Sequence, residues 1–220
     1  MIVENTLNVQ MTCDLFRFVG ERIIESKPIL TEVDGAIGDG DHGIGMSIGF
    51  TAAIQKLNET EMTSINDIFR TIGMSMINSM GGASGIIFGT MFTGGVKNMP
   101  VMDRIDLETL STIMENALKA VKERGKADLG DKTMIDALQP AVATLRKYAD
   151  KSASLLDALK AAEESARVGV ENTKQYVSRF GRAKALGERA IGHQDAGATS
   201  VWIIFRAMAA WIENRKAVSS

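Results

Sequence analysis

Apolar residues recur at three- and four-residue spacing along nearly the whole chain. Leu15, Phe18, Val19 and Ile23 share one face of a helical repeat, as do Ile65, Ile68, Phe69, Ile72 and Met76. Leu107, Leu110, Met114, Ala117, Leu118 and Val121 make a single apolar stripe on an otherwise polar segment. The pattern returns at Met134, Ala137, Leu138, Ala141, Val142 and Leu145, then at Leu155, Leu159, Ala162 and Ala166. It ends with Val201, Ile204, Phe205, Met208 and Ile212. Period-two alternation, the mark of a half-buried strand, is scarce. Even Ile86, Ile87 and Phe88 run on into Met91 and Phe92, and so read as a buried helix. Three prolines suit long helices joined by short turns. The pattern predicts an all-α bundle of about seven to nine helices. No linker or low-complexity segment divides it, so residues 1–220 read as one domain.

Glycine is clustered, at 35–49, 81–95, 125–130 and 181–197, between the apolar stripes. In a helical protein such clusters mark loops that need positive φ or close backbone approach. Polar and acidic residues gather in the same loops, and one end of the bundle can hold several of them as a single site.

The most informative loop is Asp34-Gly-Ala-Ile-Gly-Asp39-Gly-Asp41-His42-Gly43-Ile44-Gly45. Its three carboxylates are hard oxygen ligands of the kind that suit Mg²⁺ or Ca²⁺. A solvated helix-capping loop is the competing explanation, since Asp and Gly are common turn residues. Gly38-x-Gly40-x-x-Gly43 matches a dinucleotide fingerprint in letter only. Asp39 and Asp41 would repel a bare pyrophosphate, and no βαβ pattern surrounds them. An EF-hand starting at Asp39 would place Ile44 and Phe50 where glycine and glutamate are needed. His42 sits beside the carboxylates, where orienting an Asp, touching a phosphate and filling the loop are all open to it.

Gly81-Gly82-Ala83-Ser84-Gly85 precedes an apolar helix, a setting for an anion-binding nest of backbone N–H groups or for tight helix packing. Residues 125–136 open the next long helix, with Asp131 or Thr133 as its cap, and Met134 is either core or the floor under a flat base. Arg182 is either a solvated charge or a clamp on a transferring phosphoryl group. Asp195 is a turn or N-cap residue for the final helix, and His193 reads as structural.

Composition narrows the partners. The formal net charge is −2 with no basic run, which argues against nucleic acid. Hydrophobic residues are 45% of the chain, ordinary for a soluble protein. No apolar run approaches the roughly 20 residues of a membrane span. Met1–Gln10 lacks the basic and apolar regions of a signal peptide. The single cysteine, Cys13, forms no internal disulfide and reads as a buried, inert thiol. A cytoplasmic location is the expectation.

Together the loops resemble the dihydroxyacetone kinase L subunit family. The resemblance rests on residues 37–46 (IGDGDHGIGM), 81–85 (GGASG), 130–141 (GDKTMIDALQPA) and 181–200 (GRAKALGERAIGHQDAGATS), in family order and spacing. It implies an antiparallel α-helical barrel of about eight helices, with ADP or ATP held in loops at one end. It implies that Asp34, Asp39 and Asp41 hold two Mg²⁺ ions, and that His42, Gly43, Ile44 and Gly45 adjoin the nucleotide. Ala83 and Ser84 would contact phosphate, Gly125 and Met134 the base, and Arg182, Asp195, Ala196 and Gly197 the rest of the nucleotide. Arg182 would also stabilise the transition state of phosphoryl transfer. The hydroxyketone would be bound by a separate K subunit. The phosphoryl donor would be a phosphohistidine protein of the phosphoenolpyruvate-dependent phosphotransferase system in one branch and ATP in another. An ATP-dependent kinase subunit for a ketose such as erythrulose, and a nucleotide sensor acting on a transcription factor, are the alternatives.

Overall fold

A computed structural model describes residues 5–218. Nine α-helices dominate it: α1 Val9–Glu25, α2 Lys27–Gly35, α3 His42–Glu59, α4 Ile65–Ser79, α5 Gly82–Gly95, α6 Leu107–Gly125, α7 Ile135–Ala149, α8 Leu155–Thr173 and α9 Ala196–Val218. Two short strands, β1 Thr6–Asn8 and β2 Arg104–Asp106, pair antiparallel with Leu7 opposite Ile105. These two strands are a small addition to a fold that is all-α as expected. A 3₁₀ stretch, Arg182–Ala190, occupies what reads from sequence as a glycine loop.

Eight of the helices form a closed ring. Each of α3 to α8 packs on its successor, α1 packs on α3, and α9 returns to α1. The ninth helix, α2, lies against α3 and α9. Because ring neighbours are also neighbours in sequence, the connections alternate between the two ends of the barrel. Residues 60–64, 96–106 and 150–154 fall at one end with β1. Residues 36–41, 80–81, 126–134 and 174–195 fall at the other.

The apolar stripes point into this barrel. Val19, Ile23, Ile68, Ile72, Ala117 and Val121 are all buried. Phe16, Phe50, Phe69 and Phe92, from four different helices, meet in the middle. Phe16 stands edge-on to Phe69 at 5.0 Å and to Phe92 at 5.8 Å, and Phe50 meets Phe92 at 6.2 Å. Such edge-to-face pairs add about 0.5–1.5 kcal/mol each beyond their buried area. Pro140 lies inside α7, where it has no N–H to offer the carbonyl of Asp136. Gly169 of α8 fits against that spot, where any Cβ would meet the Asp136 carbonyl. The pair α7–α8 packs closely as a result.

Candidate nucleotide and metal site

The four connections at the second end surround a cleft of about 470 Å³, a size suited to a small-molecule ligand. One wall is acidic. Asp34, near the end of α2, and Asp39 and Asp41, in the following loop, each present a carboxylate oxygen within 4.8 Å of the others. The backbone of Asp34 shapes the loop by accepting Gly38 N–H at 2.6 Å and Ile37 N–H at 3.1 Å. A Cβ at residue 38 would lie 2.6 Å from Asp34 Oδ1, so the turn requires glycine there. Asp34 Oδ2 accepts the backbone N–H of His42 at 3.2 Å, tying the loop to the start of α3. Desolvation, and next the Asp39 and Asp34 charges, hold the Asp41 pKa above its ordinary value. Carboxylates crowded in this way call for a cation. In this structure Arg182 provides one, with Nη1 2.7 Å from Asp39 Oδ2 and Nη2 3.9 Å from Asp41 Oδ2.

The starts of α3 and α5 also border the cleft. The N-cap residues of α3 and α5, Asp41 and Gly81, make no side-chain cap bond, although Asp34 takes the first N–H of α3. The N–H groups of Gly43 and Ile44, and of Gly82, Ala83 and Ser84, have no partner among the described residues. Helix N-termini left open in this way attract anions. Ile44, Ile48, Ile87, Met134 and Phe180 supply the apolar lining.

His42 does not present its ring to the cleft as a free base. The ring is buried, Nε2 lies 2.8 Å from Ser200 Oγ, and Phe88 packs at 5.8 Å. Burial pushes its pKa down to about 4, against a smaller upward pull from Asp34, so it is neutral near pH 7. The side chain pins α3 to α9.

The remaining loops close the cleft. Thr133 Oγ1 accepts the N–H of Ile135, the first residue of α7, at 3.2 Å, and Asp136 satisfies the turn before it, accepting Gly130 N–H at 2.6 Å and Thr133 N–H at 2.8 Å. Asp131 instead accepts Asp128 N–H at 2.7 Å. Asp195 caps α9 as expected, its Oδ2 accepting Ala198 N–H at 2.7 Å. Burial pushes the Asp195 pKa up to about 7, opposed by the Ala198 bond, with Asp136 adding to the rise and Lys132 opposing it.

Of the residues singled out from sequence, Asp34, Asp39, Asp41, His42, Ile44, Gly45, Ala83, Ser84, Met134, Arg182, Asp195, Ala196 and Gly197 all line this one cleft. Gly43 packs against α2 instead, and Gly125 ends α6 behind Ile87, whose side chain lines the cleft. Lys132, Ser178 and Phe180 also line it and were not singled out. Phe180 carried a signal, an aromatic residue immediately before Gly181-Arg182. Cys13 is buried and its thiol pKa is raised by burial, in line with an inert role.

Comparison with known proteins identifies the family. Residues 36–210 match the DAK2 domain. The chain is 39% identical over 189 residues to the ADP-binding subunit DhaL of PEP-dependent dihydroxyacetone kinase 1 from Listeria innocua, covering 86% of this chain and 89% of that one. It is 40% identical over 180 residues to the corresponding Escherichia coli subunit, covering 82% and 86%. The dihydroxyacetone kinase of C. freundii, solved with AMP-PNP and Mg²⁺, superimposes with a TM-score of 0.69 at 27% identity, over 90% of this chain and 33% of that one. This chain therefore belongs to the DAK2 domain family, among the ADP-binding L-type subunits of dihydroxyacetone kinases.

Proposed function

We propose that this chain is the nucleotide-carrying subunit of a dihydroxyacetone kinase and that its 220 residues form one domain. The observation that carries this is the meeting, in one cleft, of three clustered carboxylates with the N-termini of α3 and α5. Either half alone has a structural explanation. Together they match a phosphate chain accompanied by a hard divalent cation.

Asp34, Asp39 and Asp41 would hold Mg²⁺, in our reading two ions. Bound there, Mg²⁺ would neutralise charge on the phosphates and orient them for in-line transfer. The N–H groups at the starts of α3 and α5 would receive phosphate oxygens, with the Ser84 hydroxyl as a further donor. Ile87, Met134 and Phe180 would exclude water around the base. Arg182 would exchange its carboxylate partners for the transferring phosphoryl group and stabilise the charge that develops on it. We assign the acceptor hydroxyketone to a separate K subunit, in keeping with relatives named as the DhaL subunit of dihydroxyacetone kinases.

The donor is read as a phosphohistidine protein of the phosphotransferase system, with ADP retained between turnovers. Similarity favours this: the chain is 39% and 40% identical to subunits of PEP-dependent dihydroxyacetone kinases but 32% identical to the L-erythrulose kinase of Pectobacterium atrosepticum. We place the subunit in the cytoplasm, where the phosphotransferase proteins act. Among the described residues no helix is long and apolar enough to cross a membrane.

Nucleotide and metal content of the extensively dialysed protein test the reading. Near-stoichiometric ADP with about two Mg²⁺ per chain is the expected result. An empty site that binds and releases ATP would move the protein to the ATP-consuming kinases. Failure to bind nucleotide or Mg²⁺ under any condition would refute the assignment.

A further inference from the structure

Among the described residues Lys132 is the one buried lysine, 2% exposed, although it lines the cleft. A buried ammonium must find acceptors for its N–H groups. Lys132 Nζ donates to the carbonyl of Thr173 at 2.5 Å and to the carbonyl of His193. Thr173 is the last residue of α8, where carbonyls lack helical partners and the dipole favours a cation. His193 precedes Asp195 by two residues.

Thr173 is shared. Its hydroxyl accepts the N–H of Asp195 at 2.9 Å and donates to Val170 O at 2.5 Å. The ammonium also faces the carboxylates of Asp195 and Asp136, which oppose the downward pull of burial on its pKa. Lys132 adopts φ +58°, a conformation that residues with a side chain rarely take. Three chain segments thus meet at one ammonium: the α6–α7 connection, the end of α8 and the approach to α9.

Those segments carry opposite sides of the proposed nucleotide site. A Cβ added at Gly197 would lie 3.4 Å from Met134 Cβ and 3.5 Å from Met134 N, so the two loops touch. The metal loop 34–41 meets the α8–α9 connection at Arg182, not at Lys132, and its backbone is held by its own bonds to Asp34.

We propose that Lys132 is a positioning residue of the nucleotide site. Its ammonium clasps the α6–α7 connection onto α8 and α9 and sets the spacing between Met134 and Asp195–Gly197. The inference deepens the proposed function and rests on it.

The test measures two affinities for the parent, Lys132→Met and Thr173→Val: ADP in Mg²⁺ buffer by calorimetry, and Mn²⁺ alone, without nucleotide, by electron paramagnetic resonance. Thermal melts identify the temperatures at which each variant is folded. Lys132→Met keeps the length of the side chain and removes the charge. We expect it to weaken ADP binding at least about tenfold while Mn²⁺ binding stays within about twofold. Thr173→Val removes only the hydroxyl arm and is expected to weaken ADP about threefold, again sparing Mn²⁺. It carries the test if Lys132→Met does not fold.

A folded Lys132→Met that binds ADP like the parent overturns the proposal. So does a variant in which ADP and Mn²⁺ weaken by the same factor, the mark of general loosening, or, where Thr173→Val carries the test, unchanged ADP affinity in that variant. A parent that binds no ADP removes the nucleotide reading itself, and this inference with it.

Discussion

The two ends of the barrel are built by different rules. Four ring helices, α1, α4, α6 and α8, start at the end away from the cleft, and a side chain caps every one. Asn8 accepts Met11 N–H at 2.9 Å, Ser64 accepts Asp67 N–H at 3.1 Å, Asp106 accepts Thr109 N–H at 2.8 Å and Ser154 accepts Asp157 N–H at 3.1 Å. Of the four that start at the cleft, only α9 has such a cap; α3, α5 and α7 have none. The seven glycines with positive φ, at 40, 81, 82, 130, 181, 187 and 192, also all lie at the cleft end. At about 1 kcal/mol per cap, the far end holds the barrel together. At α3 and α5 the cleft end leaves N–H groups open for a ligand, whereas the Thr133 hydroxyl takes the first N–H of α7 at 3.2 Å.

The sharpest way to break this contrast is to alter the charges at the cleft. Asp39→Asn is expected to cut phosphoryl transfer by about 10²- to 10³-fold, measured with the K-type subunit and dihydroxyacetone. Its melting temperature should hold or rise, because repulsion within the carboxylate cluster falls. A protein melting well below the parent would mean that the cluster is structural. Arg182→Ala separates two roles of one side chain. Transfer should fall about 10²-fold, yet Mn²⁺ should bind the nucleotide-free protein more tightly, because the competing guanidinium is gone. Weaker Mn²⁺ binding would show that Arg182 organises the loop and does not compete with the ion.

How much of this was legible in sequence depends on where the partners lie. The α6 stripe from Leu107 to Val121 was readable because its period is local, and α6 spans Leu107–Gly125 as that stripe requires. The acidic loop was readable because its three carboxylates fall within one short segment. Ring closure by α1 against α9 was not, since the contact joins opposite ends of the chain. Strands β1 and β2 have three residues each, too few for alternation to show. The role of Lys132 was invisible for another reason. Its acceptors are backbone carbonyls 41 and 61 residues away, and a carbonyl has no side-chain signature. His42 was seen beside the acids, but Ser200, which holds its ring, lies 158 residues on.

A smaller effect sharpens the comparison through pH. Asp195 has its folded pKa raised to about 7, well above the ordinary carboxylate range, chiefly by burial. The folded state therefore binds that proton more tightly than the unfolded chain does. The resulting stabilisation is full below the unfolded pKa and is lost as pH rises through the folded value. Asp195→Asn keeps an oxygen for the Ala198 N–H and removes the titration. Relative to the parent, it should gain on the order of 2 kcal/mol between pH 5 and pH 7, allowing for partial exposure. Chemical denaturation with metal chelated checks this, and a gain in the opposite direction would show that Asp195 is ionised and well paired in the fold.

The smallest effect tests the far end directly. Ser64 is 3% exposed and accepts Asp67 N–H, and the next two residues stitch α4 to the α5–α6 connection. Ile65 N–H donates to Met102 O at 2.8 Å, while Asn66 donates to Pro100 O at 3.0 Å and accepts Met102 N–H at 2.9 Å. Ser64→Ala leaves those stitches and removes only the cap, so stability should fall by about 1 kcal/mol. It also removes the first of the hydrogen bonds that hold the Asp67 pKa low, so part of the loss should ease at acidic pH. Nucleotide affinity should not change, because no residue of this joint reaches the cleft. If Ser64→Ala left stability untouched, or weakened ADP as much as it weakened the fold, the division of labour between the two ends would fail at its simplest point.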